Sequence, residues 1–134
     1  MGSLIVIWDY IKANKNKTFK IGAHDCLTFT NGAWNVMHGK GFADEFIGHY
    51  ENTGRKGFKK EMYKLKFTSG LDFLDSKLKR LEIFPPLGAL VILNQESGCM
   101  APHALGICIG INSVFVGKND LIFIPTEEVH GAWL

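Results

Sequence analysis

The sequence predicts an α+β domain in which N-terminal helices pack on a small antiparallel sheet. Apolar residues recur at helical spacing before residue 88, whereas short apolar runs separated by Asn- and Gly-containing turns follow it. Helices followed by a meander of strands is an α+β order. A chain of 134 residues, 46% hydrophobic and 21% charged, suits one core, so residues 1–134 are expected to form a single domain.

The first predicted element is a short amphipathic helix over residues 4–12, with Ile5, Trp8 and Ile11 among its apolar positions. Ser3 is a candidate N-cap. The β-branched residues of this stretch leave a strand as the alternative. A polar loop over residues 14–17 then leads to the next element.

The central predicted element is a helix that begins at Cys26. Gly22 allows the preceding backbone to turn, and Asp25 suits the N-cap position. One face should be buried, because apolar residues recur at helical spacing at Phe29, Ala33, Trp34 and Met37. The thiol would lie in the first turn, where free N–H groups and the helix dipole favour a thiolate. The alternative is a small buried residue without chemistry.

Three further helices are predicted before residue 88, the first over residues 43–50. The second is strongly basic, with Phe58, Met62 and Leu65 on one face and the rest supplied by Arg55, Lys56, Lys59, Lys60, Lys64 and Lys66. Ser69 and Asp72 resemble a capping box that opens the third. Its expected buried edge consists of Leu71, Leu74, Leu78 and Leu81.

Four strands are predicted after Gly88, over residues 89–93, 104–111, 114–116 and 121–124. In the second strand, small residues alternate with larger ones, so one face is nearly bare: Ala104, Gly106, Cys108 and Gly110. A bare face allows close approach of another element, and we expect the helix that begins at Cys26 to lie there. The thiol would then lie near the start of this strand.

Charge is unevenly distributed along the chain. Residues 1–81 carry fourteen basic and eight acidic side chains, and residues 82–134 carry one and five, which gives +6 against −4. Such polarity can orient a protein in an assembly. No apolar run is long enough to span a bilayer. Three cysteines without a CxxC pair, and no signal-peptide pattern, predict a reduced protein made in the cytosol.

Several motifs in their order resemble the papain-like cysteine peptidase superfamily. They are Asp25-Cys26 at a helix N-terminus, a Gly-x-Leu-Val strand from Gly88 and a Leu-Gly-Ile-Cys-Ile-Gly strand from Leu105. The chain is similar in particular to small phage-encoded families related to bacterial cell-wall endopeptidases. The likeness covers nearly the full length, and its matching residues are Phe19, Gly22, Asp25, Cys26, Tyr50, Gly88, Gly106, Gly110, Ala132 and Trp133.

The resemblance implies a papain-like fold and assigns catalytic roles to Cys26 and His103. In active relatives the cysteine attacks a peptide carbonyl, and a histidine at the start of the second strand is the base. That histidine stands two residues before the Gly-Ile pair, a position taken here by Ala104. His103 is one residue earlier, so it is expected on the face opposite Gly106 and away from the helix.

Two further positions depart from the resemblance. The next strand of active relatives carries a polar residue that orients the histidine, but Val114, Phe115 and Val116 are apolar. The aspartate usual after the glycine of the first strand is Ala89. These departures favour a papain-like fold whose active site is degenerate.

Three functions therefore remain open. The first is a phage virion protein, tail-associated and made in the host cytoplasm, which uses the fold structurally and contacts other virion or tail proteins. The second is an active cysteine peptidase or amidase that cleaves bacterial cell-wall peptide. The third is a nucleic-acid-binding module built on the basic helix, for which no reading motif is present.

No cofactor or metal is expected. Among His24, Cys26, Cys99 and His103, only the last two have a spacing that suits zinc ligands.

Overall fold

A computed structural model describes residues 4–94 and 103–134, so Ser3 and Cys99 lie outside the described residues. Within those ranges four helices precede five strands, which confirms the α+β class. The helices are α1 (Leu4–Ala13), α2 (Cys26–His38), α3 (Gly54–Lys64) and α4 (Gly70–Lys77). The strands are β1 (Leu90–Asn94), β2 (His103–Cys108), β3 (Asn112–Val116), β4 (Leu121–Pro125) and β5 (Gly131–Trp133).

The sheet is antiparallel throughout, with the strand order β4-β3-β2-β1-β5. Strands β1 to β4 form the predicted meander. The short strand β5 was not predicted; it returns to the free edge of β1 and pairs Trp133 with Leu90. The indole N–H of Trp133 donates to Asp75 at 2.8 Å, which ties this edge to α4.

The sheet has a helix-facing side and a second buried side. The helix-facing side contributes Leu90, Ile92, Leu105, Ile107, Val114 and Trp133 to the main core, which also contains the buried face of α2. The second side carries a smaller cluster that includes Val91, Ala104, Cys108, Phe115 and Ala132. This alternation follows the two-residue period of a strand.

The expectation that α2 lies on the bare face of β2 is wrong. A Cβ added to Gly106 would lie 2.6 Å from the ring of Phe115, so this face accommodates an aromatic side chain from the neighbouring strand. Helix α2 instead packs on the bulky face, which includes Leu105 and Ile107. The close approach to α2 occurs at Gly88, where an added Cβ would overlap the end of the Met37 side chain.

The predicted helices are confirmed in part. Residues 4–12 are helical rather than extended, and the α2 face predicted to be buried is buried. Residues 43–50 form only a 3-10 turn over Asp44–Phe46. Ser69 caps α4 by accepting the Asp72 N–H at 3.1 Å, but Leu78 and Leu81 lie beyond the helix end.

Candidate functional site

The carboxylate of Asp25 holds together the segment that precedes Cys26. It is fully buried and accepts four hydrogen bonds. Oδ1 accepts from the backbone N–H groups of Leu27 and Thr28, at 2.9 and 2.8 Å. Oδ2 accepts from the Gly22 N–H at 2.8 Å and the Tyr50 hydroxyl at 2.7 Å. A buried carboxylate saturated in this way is well compensated for its lost hydration.

Gly22 allows this arrangement because its backbone is left-handed, with φ of 86°. A Cβ at this position would also overlap the backbone of Glu51, which adjoins Tyr50. From the sequence, Gly22 was expected at a turn and Asp25 at the N-cap, whereas Tyr50 was only a matching residue of the resemblance. In the structure the three residues act together, since they fix the N-terminus of α2 against the segment that ends at Tyr50.

Cys26 is the first residue of α2 and is 8% exposed. It belongs to the same core cluster as Leu105 and Ile107 of β2. The helix dipole favours negative charge at this position, whereas the adjacent Asp25 carboxylate opposes it. The N–H groups of Leu27 and Thr28 are already bonded to Asp25, so the second and third residues of the helix do not donate toward the sulfur.

His103 is the first residue of β2 and pairs with Asn94 of β1. Because side chains alternate along a strand, His103 shares a face with Leu105 and Ile107, and that face packs against α2. The expectation that it points away from the helix is therefore wrong. The alternation itself was assigned correctly, but α2 was placed on the opposite face of the strand.

The Nδ1 atom of His103 is buried and has no hydrogen-bond partner in residues 4–94 and 103–134. No hydrogen bond thus joins this nitrogen to Cys26. Catalytic hydrogen bonds often form only once substrate binds, so the missing bond does not argue against a thiol–imidazole pair. An imidazole nitrogen with no other partner also remains able to accept a proton.

The polar residue nearest in register to His103 lies on β1 rather than on the next strand. Strand β3 presents only apolar residues at positions 114–116, as the sequence indicated. Asn94 stands directly opposite His103 in the β1–β2 ladder, and directly opposite residues share a face. Asn94 was missed from the sequence because only the pairing of two strands, not any local motif, places it beside the histidine.

His24 is a buried histidine two residues before Cys26, in the turn before α2. It is 8% exposed, its Nε2 has no hydrogen-bond partner among the described residues, and its ring meets the edge of Phe29. Burial lowers the pKa of His24, the charge of Lys17 acts in the same direction, and Asp25 acts in the opposite one. The balance of these effects favours the uncharged form of His24.

The described residues contain no group of three or more His, Cys, Asp or Glu side chains that could hold a metal ion. In the same residues no helix is both long and apolar enough to cross a membrane.

Comparison with known proteins gives one result. A protein-family model described as a domain of unknown function, DUF6950, matches residues 6–134. Neither the curated proteins nor the solved structures provide a match.

Proposed function

The chain belongs to the DUF6950 family, and we propose that it is a papain-like cysteine peptidase or amidase with Cys26 as nucleophile and His103 as base. One observation carries the proposal: His103 lies on the side of β2 that packs against α2, the helix that begins at Cys26. A thiol at a helix N-terminus and a histidine at the start of the adjacent strand is the pairing that this chemistry requires.

The proposed reaction begins when His103 takes the proton of the Cys26 thiol. The thiolate attacks the carbonyl carbon of an amide, and a carbon–sulfur bond forms. The carbon–nitrogen bond then breaks as protonated His103 gives its proton to the leaving amine. Water, deprotonated by His103, hydrolyses the thioester and restores the thiol. The Nδ1 atom of His103, which has no hydrogen-bond partner in residues 4–94 and 103–134, supports its role as the proton carrier.

Asn94 is the proposed orienting residue. Cβ atoms of directly opposite residues lie about 4.5 to 5.5 Å apart, which is within reach of an amide and an imidazole. A hydrogen bond from His103 to the Asn94 carboxamide would fix the ring and stabilise its charged form, as the third member of a triad does. Although β3 has no polar residue at positions 114–116, Asn94 on β1 would then serve as the orienting group.

The proposed setting follows the resemblance. Likeness to phage-encoded relatives of cell-wall endopeptidases supports bacterial cell-wall peptide as the substrate and a tail-associated place in a virion. A purely structural virion role was favoured from the sequence on three departures: His103 was expected to face away from α2, residues 114–116 are apolar, and Ala89 replaces the usual aspartate. With His103 on the helix-facing side, a hydrolase that acts from the virion is the better supported proposal.

The test is digestion of purified bacterial cell-wall material by the isolated protein, with new amino termini measured over time. We expect cleavage by the wild type and none by Cys26→Ala. Cys108→Ser is the matched control, since Cys108 is a buried thiol on the other side of the sheet whose contacts with Gly110 a hydroxyl can replace. Equal activity of wild type and Cys26→Ala would exclude the mechanism.

A further inference from the structure

Two adjoining grooves, which together we call the acidic groove, lie away from Cys26 and His103 and are bordered by large exposed apolar side chains. Ile83, Phe84 and Ile111 are 70%, 59% and 82% exposed. They border two adjoining grooves, one of about 370 Å³ next to Ile111 and Pro125 and one of about 240 Å³ between residues 81–85 and 126–132. Phe84 and Glu127 line both grooves, so the two form one continuous surface.

The acidic side chains that line the acidic groove are Glu82 and Glu127, and Glu128 is exposed beside them. Among the described residues, neither groove is lined by a lysine or an arginine. An apolar site with carboxylates at its rim favours an occupant that is itself apolar at the centre and basic at the edge.

Helix α3 presents that combination. Tyr63 is 82% exposed, although α3 also buries Phe58 and Met62 in the main core. Lys59 and Lys60 precede Tyr63 by four and three residues, so they flank it on the helix surface. Tyrosine is among the residues that most often anchor protein interfaces, because it buries a large apolar ring and keeps a polar end.

The two surfaces lie on opposite sides of the sheet. Helix α3 packs into the helix-facing core, whereas the acidic groove is lined by Leu81, Val129 and Ala132, which belong to the second cluster. One chain therefore cannot bring its own Tyr63 into its own groove. A second copy can, because nothing in the described residues covers either surface.

We propose that the acidic groove binds the Tyr63 face of α3 from a second copy of this chain. Because the two contacting surfaces differ, the contact is head-to-tail, and it repeats into a ring or a filament. The net charge is +6 for residues 1–81, which include α3, and −4 for residues 82–134, which include most of the acidic groove. Opposite charges would therefore meet in such a contact.

The experiment is sedimentation velocity of the full chain over a range of concentrations, at low and high salt. We expect the sedimentation coefficient to rise with concentration and to fall with added salt, which screens the charged rim. Tyr63→Ser and Phe84→Ser should each abolish association. Lys60→Glu and Glu127→Lys should each weaken it at least about tenfold, since each places like charges together.

Mixing the two charge-reversed variants should restore association, because each supplies the intact surface that the other lacks. Lys40→Glu is the matched control: it makes the same charge change at an exposed loop residue outside α3 and should leave association intact. A wild type that stays monomeric at every concentration overturns the proposal. So does association that Phe84→Ser abolishes and Tyr63→Ser leaves unchanged, since the groove would then bind a different segment.

Discussion

Replacing Asp25 by asparagine tests the network that fixes the N-terminus of α2. Each carboxylate oxygen accepts two donors, so an amide NH₂ on either side must face at least one backbone N–H. The least costly orientation turns the NH₂ toward Gly22 and Tyr50, because the Tyr50 hydroxyl can rotate and become an acceptor. The Gly22 N–H then loses its acceptor, and the other hydrogen bonds lose the charge that strengthened them.

The expected cost follows from these changes. One stranded buried donor costs about 1 to 3 kcal/mol, and weaker neutral hydrogen bonds bring the total to about 2 to 4 kcal/mol. For a domain of this size each kcal/mol lowers Tm by roughly 3 to 5 °C, so we expect a fall of about 6 to 20 °C. Urea unfolding followed by circular dichroism measures the free energy directly.

Asp120→Asn is the matched control. Asp120 is exposed and accepts both of its backbone N–H bonds, from Asn16 and Leu121, at the single oxygen Oδ1. An asparagine can keep that oxygen in place, so Tm should change little. If Asp25→Asn were as stable as Asp120→Asn, the Asp25 network would not be holding the start of α2.

Three further predictions concern separate parts of the fold. Gly106→Leu should cost roughly 1 to 3 kcal/mol or more in urea unfolding, because any Cβ there meets the Phe115 ring; an unchanged unfolding midpoint would contradict this packing. His24 has a lowered folded-state pKa, so stability should be full above about pH 6.5, the unfolded value, and should fall as the pH drops below it. In His24→Phe the free energy of unfolding should change less between pH 7 and 5 than in the wild type. An equally steep fall in the variant would show that other groups cause it. Three lysines of α3 are exposed: Lys59, Lys60 and Lys64. Their exchange for glutamine should leave Tm nearly unchanged, and loss of folding would show that α3 depends on more than its buried face.

Features set by local sequence were predicted well. The start of α2, its Asp25 cap and its buried face depend on residues within a few positions of one another, and all three are confirmed. Strand β5 was missed because three residues have too little alternation to reveal a strand, and its position depends on pairing with the distant β1.

The candidate site shows why long-range packing limits such predictions. The pattern of β2 indicated two unlike faces, but it did not indicate which of them α2 covers. That choice depends on Phe115, which occupies the space above Gly106 from the neighbouring strand. Assigning α2 to the wrong face also reversed the expected direction of His103. Asn94 required a strand register that no local pattern reveals.

The most direct test of the Cys26–His103 pair is the rate of Cys26 alkylation as a function of pH. The wild type and His103→Ala would be treated with iodoacetamide, and peptide mapping by mass spectrometry would separate Cys26 from Cys99 and Cys108. A thiol paired with an imidazole forms a reactive ion pair below the pH at which a free thiol ionises. We predict rapid alkylation of wild-type Cys26 near pH 6 and its loss in His103→Ala. Slow alkylation at that pH in the wild type, or the same profile in both proteins, would contradict the pairing.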